Sequence, residues 1–404
     1  NNLCDLIDQG FNFQIGLSNI GPQRLEKLIQ YLSKRDKKVK SVQIQFSLLS
    51  PDLLKQTNVK RICEDNDIDF LAYSPLSFGL LCIDPEKNED KQSINLVKIS
   101  EDDLMEGNVV VDITHSTLNY KDGLAMTGSS PIVRKFPMIP GIDFSGIVRS
   151  SEDLKFSKGD RVVLNGYGLS ESHYGGYSER ARVNSEYLLK LPENISNHQA
   201  MQIGTAGYTA MLCVIGLEDF GIKPSSGEIL VTGASGGVGS VAISLLSSLG
   251  YSVIASTGRL SETDYLKNLG ASSVIDRNEL SESSKPLGKE RWSGAVDSVG
   301  SQTLSNVLAQ TKYGGAVSAC GLAQGMDLPS TVLPFILRGV SLIGIDSVMA
   351  SMEKREIAWD RLSKDLEMEK LSQMIIETTL DDVKNFAQSI IDGQVRGRVV
   401  VNIS

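Results

Sequence analysis

The chain has 404 residues, of which 41% are hydrophobic and 22% charged, proportions that fit an ordinary globular protein of two or three domains. Its formal net charge of −9 argues against a general binder of nucleic acid or of an anionic membrane surface. Five cysteines (Cys4, Cys63, Cys82, Cys213 and Cys320) lack paired spacing, and no signal peptide or apolar run of about eighteen residues is evident, so a reduced, cytoplasmic setting is expected.

Before Gly79, three β-like runs at residues 13–17, 41–46 and 70–73 alternate with helical stretches. From Pro22 to Lys38, Leu25, Leu28, Ile29 and Leu32 recur at helical spacing. This alternation predicts parallel β/α units. From Gly79, GLLCIDPEKNEDKQSINLVKIS predicts a strand, a charged turn and a second strand. Further β-rich runs at residues 109–113 and 161–164, set between Gly/Pro turns, predict a small barrel.

The most informative stretch is ILVTGASGGVGSVAISLLSSLGYSVIASTGR, residues 229–259. An apolar strand stops at a glycine cluster, a helix follows, and a second strand ends in Thr-Gly-Arg. This is the unit that holds a dinucleotide. Ala234, Gly236 and Gly239 occupy the G-x-G-x-x-G places, where small residues let backbone N–H groups and a helix N-terminus approach a pyrophosphate. The place where an NAD site carries an acidic residue holds Thr257, Gly258 and Arg259. An arginine fork suits a 2′-phosphate that a carboxylate would repel, so NADPH is the expected cofactor. Strands at residues 272–275, 294–297, 316–319 and 341–345 would complete an open parallel sheet with helices on both faces. The tail from Ile357 reads as helix and then strand, with Arg398 leading into a final strand at 399–403.

Two resemblances follow. GLSN (16–19), Val42-Gln43 and AYSPL (72–76) resemble the fifth to seventh strands of the aldo-keto reductase family, a TIM barrel. That likeness implies that Ser18, Asn19 and Gln43 would hold a nicotinamide carboxamide and that Tyr73 would stack on its ring. Only about three of the eight strands are present, and a partial barrel cannot close, so no catalysis is expected of this piece. The rest resembles the medium-chain dehydrogenase/reductase superfamily, and within it the acrylyl-CoA reductase group often labelled quinone oxidoreductases. The motifs are LNYKDGLAMTG (118–128), FPMIPGIDFSG (136–146), GTAGYTAMLCV (204–214), VTGASGGVGS (231–240) and LPFILRGVSLIGIDSV (333–348).

The resemblance implies an α/β protein. A GroES-like β-barrel catalytic domain would span 79–204 and 345–404, and a Rossmann doubly wound parallel sheet binding NADPH would span 205–344. An incomplete (β/α) barrel fragment, 1–78, precedes them. Zinc alcohol dehydrogenases of the superfamily have Gly-His-Glu where this chain has Gly141-Ile142-Asp143. The four-cysteine loop is missing, and His115, His173 and His198 lack nearby cysteine partners, so no metal is expected. Without a Lewis acid a plain ketone is hard to activate, whereas an enoyl thioester polarises its own double bond. The expected reaction is NADPH-dependent reduction of acrylyl-CoA to propanoyl-CoA. The alternatives are a quinone or enone reductase and a non-catalytic NADPH-binding protein.

By resemblance, Tyr120 lies at the cofactor and carries the catalytic phenol, which would donate to an enolate or relay a proton. Asn119, Lys121 and Asp122 would order its loop, with Lys121 and Asp122 read alternatively as solvated charges. Ser235, Gly236, Gly237 and Val238 would line the pyrophosphate. Thr257, Gly258 and Arg259 would take the adenosine phosphate, with Arg277 a second basic contact. Leu322, Ile336 and Ser347 would flank the nicotinamide. Asp392 stands where the family often has Asn; an ionised carboxylate cannot donate, which makes Arg398 the better phosphate donor. Arg134, Lys135, Arg180 and Arg182 are candidates for a CoA-binding surface, with scattered surface charges the equal alternative, and a homodimer is implied.

Overall fold

The computed structural model describes residues 15–18, 20–45, 53–73, 93–283 and 285–403. The chain divides into two compact units, Asn1–Lys91 and Gln92–Ser404. The expected boundary at Gly79 falls outside the described residues.

In the first unit, β1 (Ile15–Ser18), β2 (Val39–Gln45) and β3 (Asp69–Tyr73) form a parallel sheet in that order, with α1 (Pro22–Ser33) and α2 (Leu53–Asp65) as crossovers. Proline at the first position starts α1, where its missing N–H costs no helical hydrogen bond. The helical stretch expected to reach Lys38 stops at Ser33, because Asp36 takes a left-handed φ of 54° and Val39 already pairs with Ile15. Leu25, Leu32, Val42, Val59, Ile62 and Cys63 make its core. Ser18 and Gln43 face each other across β1 and β2, while Asn19 and the Tyr73 side chain lie outside the described residues.

The second unit opens differently from expectation. Residues 93–100 form no strand, and Leu96 and Val97 are exposed. A strand there needs a mate, and the run expected to supply it, from Gly79, lies outside the described residues. After a short 3-10 turn at Glu101–Asp103 come β4 (Val109–Leu118), α3 (Tyr120–Thr127), β5 (Asp143–Ser151), β6 (Arg161–Asn165), β7 (Arg180–Val183) and β8 (Leu189–Lys190). The long helix α4 (Asn197–Phe220) follows, kinked at Gly204 (φ 52°). Alone among the described helices it is long and apolar enough to cross a membrane, but its apolar stretch is buried within the fold.

Next come β9 (Ile229–Val231), α5 (Gly237–Ser248), β10 (Val253–Thr257), α6 (Thr263–Leu269), β11 (Ser273–Asp276), β12 (Trp292–Asp297), α7 (Ser301–Gln310), β13 (Thr311–Ala319), α8 (Leu333–Arg338) and β14 (Ser341–Gly344). Their sheet is wholly parallel in the order β11-β10-β9-β12-β13-β14, with the chain reversing direction at β9. Ligands of such sheets bind at the carboxyl ends of the strands beside that switch. The tail holds α9 (Met352–Asp365), α10 (Met368–Ser372), β15 (Ile375–Thr379), α11 (Ala387–Ile391) and β16 (Arg398–Asn402). The second sheet runs β15-β16-β4-β5-β6-β8, with β7 also on β4. Because β16 pairs antiparallel with β4 and Val399 opposes Leu118, Arg398 lies beside the start of α3.

Candidate active site

The turn between β9 and α5 closes through a Gly236 N–H donated to the Gly233 carbonyl at 2.9 Å. Gly233 has φ 58°, and any side chain on Gly239 would collide with the Gly233 carbonyl, which explains the small residues here. Ser235 is buried, and its hydroxyl lies 3.3 Å from that of Thr257. Arg259 Nη2 donates to the Ser235 hydroxyl at 3.0 Å, and the Arg259 N–H donates to Thr257 Oγ1 at 3.1 Å. Its guanidinium also donates to the carbonyls of Gln394 (3.1 Å) and Val395 (3.3 Å) on the tail turn. Arg277 is exposed and crosses Gly258 so closely that an added Cβ would stand 2.6 Å from its Nε. Among the described residues neither arginine has a carboxylate partner. Two uncompensated cations thus meet at the ends of β10 and β11, chemistry suited to a phosphate dianion.

Below this turn lies a buried polar hub. Asp143, which opens β5, accepts from Thr117 Oγ1 (2.6 Å), Asn119 Nδ2 (3.2 Å), the Thr205 N–H (2.7 Å) and Thr205 Oγ1 (2.6 Å). The kink at Gly204 is what frees the Thr205 N–H for it. Asp122 accepts from the N–H groups of Asn119 and Ile142, both at 2.9 Å. Burial, and then the nearby Asp143 charge, push Asp122 up to about 7. Arg398 is enclosed, donating to Asn119 Oδ1 at 3.1 Å, while its Nε and Nη2 have no partner among the described residues. Its Nη1 stands 3.2 Å from where a side chain on Gly237 would begin, and the Gly397 N–H donates to the Ser235 carbonyl at 3.1 Å. Arg398 therefore underlies the first turn of α5 with donors to spare, reached from the interior and not from an exposed tail.

Tyr120 occupies the first position of α3 and is 37% exposed, set by Asn119 and Asp122 beneath it. The alternative of solvated charges fails for both neighbours: Asp122 is fully buried, and Lys121 pairs with Glu171. Of the residues expected to flank the nicotinamide, Leu322 and Ile336 are exposed and Ser347 is half-buried. The Leu322 loop hangs on the end of β12, where the Gln324 N–H donates to the Val299 carbonyl at 2.8 Å. Asp297 organises that corner by accepting from Thr232 Oγ1 at 2.7 Å and the Gly300 N–H at 2.8 Å, and burial raises its pKa. Sequence reading did not single out Asp297; its place as the last residue of an apolar strand was the available signal. Asp392 is exposed and accepts from Gln388 Nε2 at 2.9 Å, on the turn that Arg259 holds.

For Arg180 and Arg182 the contacts favour the alternative of scattered surface charges over a CoA surface. Arg180 binds Asp112 (2.9 Å) and Glu101 (2.7 Å), and Arg182 donates to the Glu101 carbonyl at 3.2 Å, so both serve an acidic neighbourhood. Arg134 and Lys135 are exposed without an ion pair among the described residues, on a segment tied to the α3 side by the Arg134 N–H and Glu171 carbonyl (2.7 Å). The zinc position does not fit a metal: Ile142 offers only an apolar side chain, and its N–H is spent on Asp122. No group of three or more His, Cys, Asp or Glu suited to a metal occurs among the described residues. His198 Nε2 meets Glu377 at 2.8 Å, and His173 Nδ1 lies 3.0 Å from the Tyr174 carbonyl.

Comparison with known proteins adds the following. Residues 105–193 match the alcohol dehydrogenase GroES-like domain, residues 237–364 the zinc-binding dehydrogenase family, and residues 1–122 the aldo/keto reductase family. The chain is 52% identical over 319 residues to the probable acrylyl-CoA reductase AcuI of Escherichia coli K12, covering 79% of this chain and 98% of that one. It is 49% identical over 328 residues to the acrylyl-CoA reductase AcuI of Ruegeria pomeroyi, covering 81% and 99%. Among solved structures, E. coli K-12 YhdH with bound NADPH superposes with a TM-score of 0.75 at 53% identity, covering 76% of this chain and 95% of that one.

Proposed function

The chain belongs to the acrylyl-CoA reductase family of medium-chain dehydrogenase/reductases, and from that premise we propose that it uses NADPH to reduce acrylyl-CoA to propanoyl-CoA. The observation that carries this reading is identity of about half to two acrylyl-CoA reductases over 98% and 99% of their lengths. When bound, NADPH supplies the hydride that adds to Cβ of the enoyl thioester.

The chain's own residues do the rest. The N–H groups that open α5 hold the pyrophosphate, with the spare donors of Arg398 beneath them. Arg259 and Arg277 grip the 2′-phosphate, and Ser235 and Thr257 brace Arg259. Leu322 and Ile336, apolar and exposed before the cofactor arrives, would pack with Ser347 against the nicotinamide and so keep water from the reacting carbons. The Tyr120 hydroxyl either donates a hydrogen bond to the thioester enolate or relays a proton to Cα, in which case a solvent proton restores the phenol. Arg134 and Lys135 receive the CoA phosphates. Steady-state kinetics test the substrate. The specificity constant should be higher for acrylyl-CoA than for any quinone, and the reverse order would replace this reading.

A quinone reductase is the second reading, favoured by 45% identity to the putative quinone oxidoreductase YhfP of Bacillus subtilis. A cytoplasmic homodimer is also proposed. β14 lies at the edge of its sheet with Leu342 exposed, so a second copy can extend the sheet there. Sedimentation should give twice the chain mass; a monomer at micromolar concentration would remove the dimer.

A further inference from the structure

We propose that Arg396, on the turn between α11 and β16, is a third cation that selects NADPH over NADH. This rests on the NADPH reading above. The residues assigned to the phosphate, Arg259 and Arg277, come from the nucleotide-binding sheet; Arg396 comes from the chain's tail. Arg259 donates to the carbonyls of Gln394 and Val395, the two residues immediately before Arg396. The tail turn is thereby pinned against the phosphate end of the site.

Arg396 Nη1 lies 3.3 Å from Glu262 Oε2, and its guanidinium sits 4.9 Å from the ring centroid of Tyr265. Tyr265 in turn donates to Ser240 Oγ at 2.9 Å, on α5 just beyond the glycine turn. Glu262 is close to the site, because its N–H donates to the Arg259 carbonyl at 2.9 Å. A carboxylate one turn from Arg259 would repel a phosphate dianion. Arg396 cancels it from where it stands, paired with Glu262 and with half of its side chain exposed, so the positive charge stays at the edge of the site. NADH lacks the 2′-phosphate and gains nothing from this arrangement.

The test is calorimetric titration of the full chain with NADPH and with NADH. The variants are R396Q, R396K, E262Q and the double variant R396Q/E262Q, each checked for an unchanged melting temperature. R396Q should weaken NADPH about tenfold and leave NADH within about twofold. R396K should retain most of the NADPH affinity, and the double variant should recover most of what R396Q loses. Equal effects on both cofactors, or no effect of R396Q on NADPH, would overturn the proposal while leaving the function standing. A wild-type protein that does not prefer NADPH would overturn both. If R396Q melts early, the R396K and E262Q titrations decide: E262Q should tighten NADPH alone, and a change in neither cofactor counts against the proposal.

Discussion

Arg259 carries the sharpest expectation in the sequence, because its type alone reverses the charge an NAD site presents. Arg259→Ala should weaken NADPH about a hundredfold and NADH only a few-fold, since both lose the guanidinium's bonds to Ser235 and the tail turn but only NADPH also loses a cation for its 2′-phosphate. Equal losses in fluorescence titrations would remove the phosphate assignment. Tyr120→Phe should lower kcat about ten- to a hundredfold with little change in NADPH affinity; an unchanged kcat would mean that another group delivers the proton. The buried carboxylates were not legible, because burial is decided by chain segments far apart in sequence. Asp122 looked like one charge in a loop and is fully buried beside Asp143. Its carboxyl sits at about 7, mainly because of burial, so the folded state keeps a proton that the unfolded chain releases near its ordinary value. Stability from this group therefore falls as pH rises between about 4 and 7, and is flat above. Urea unfolding should show that slope, and Asp122→Asn should flatten it; an identical slope in the variant would contradict the assignment.

Among the elements, those with apolar runs were readable and those with mixed faces were not. The valine-rich starts of β4 and β16 and the apolar β9, β10 and β12 announced themselves. β5 did not: DFSGIVRSS carries a buried aspartate and serine on one side and ends in polar residues, and its strand character comes from pairing with both β4 and β6. β7, β8 and β15 are two to five residues long, too short for a pattern to show. The glycine turn was predicted from spacing, and its close packing can be tested. Gly239→Val would drive a side chain into the Gly233 carbonyl and should cost more than about tenfold in affinity for both cofactors, unlike Arg259→Ala. Unchanged binding would mean that the turn does not hold the pyrophosphate.

For the whole molecule, the fold class was legible because long motifs occur in a fixed order, and the strand order β11-β10-β9-β12-β13-β14 is the one that such motifs imply. Less legible was how the tail returns: β16 joins β4, and Arg398 thereby reaches the underside of the glycine turn from the far end of the chain. The first unit has its own small core and three parallel strands among its described residues. Limited proteolysis between the units should leave reductase activity within about twofold, and its loss would give the first unit a part in catalysis. The central claim is hydride transfer to the β-carbon of an enoyl thioester. Incubation of the full chain with acrylyl-CoA and NADPH doubly deuterated at C4, followed by mass spectrometry of the product, tests it most directly. The account predicts propanoyl-CoA carrying one deuterium at Cβ; cofactor oxidation without deuterium in the CoA product, or only in the presence of a quinone, would contradict it.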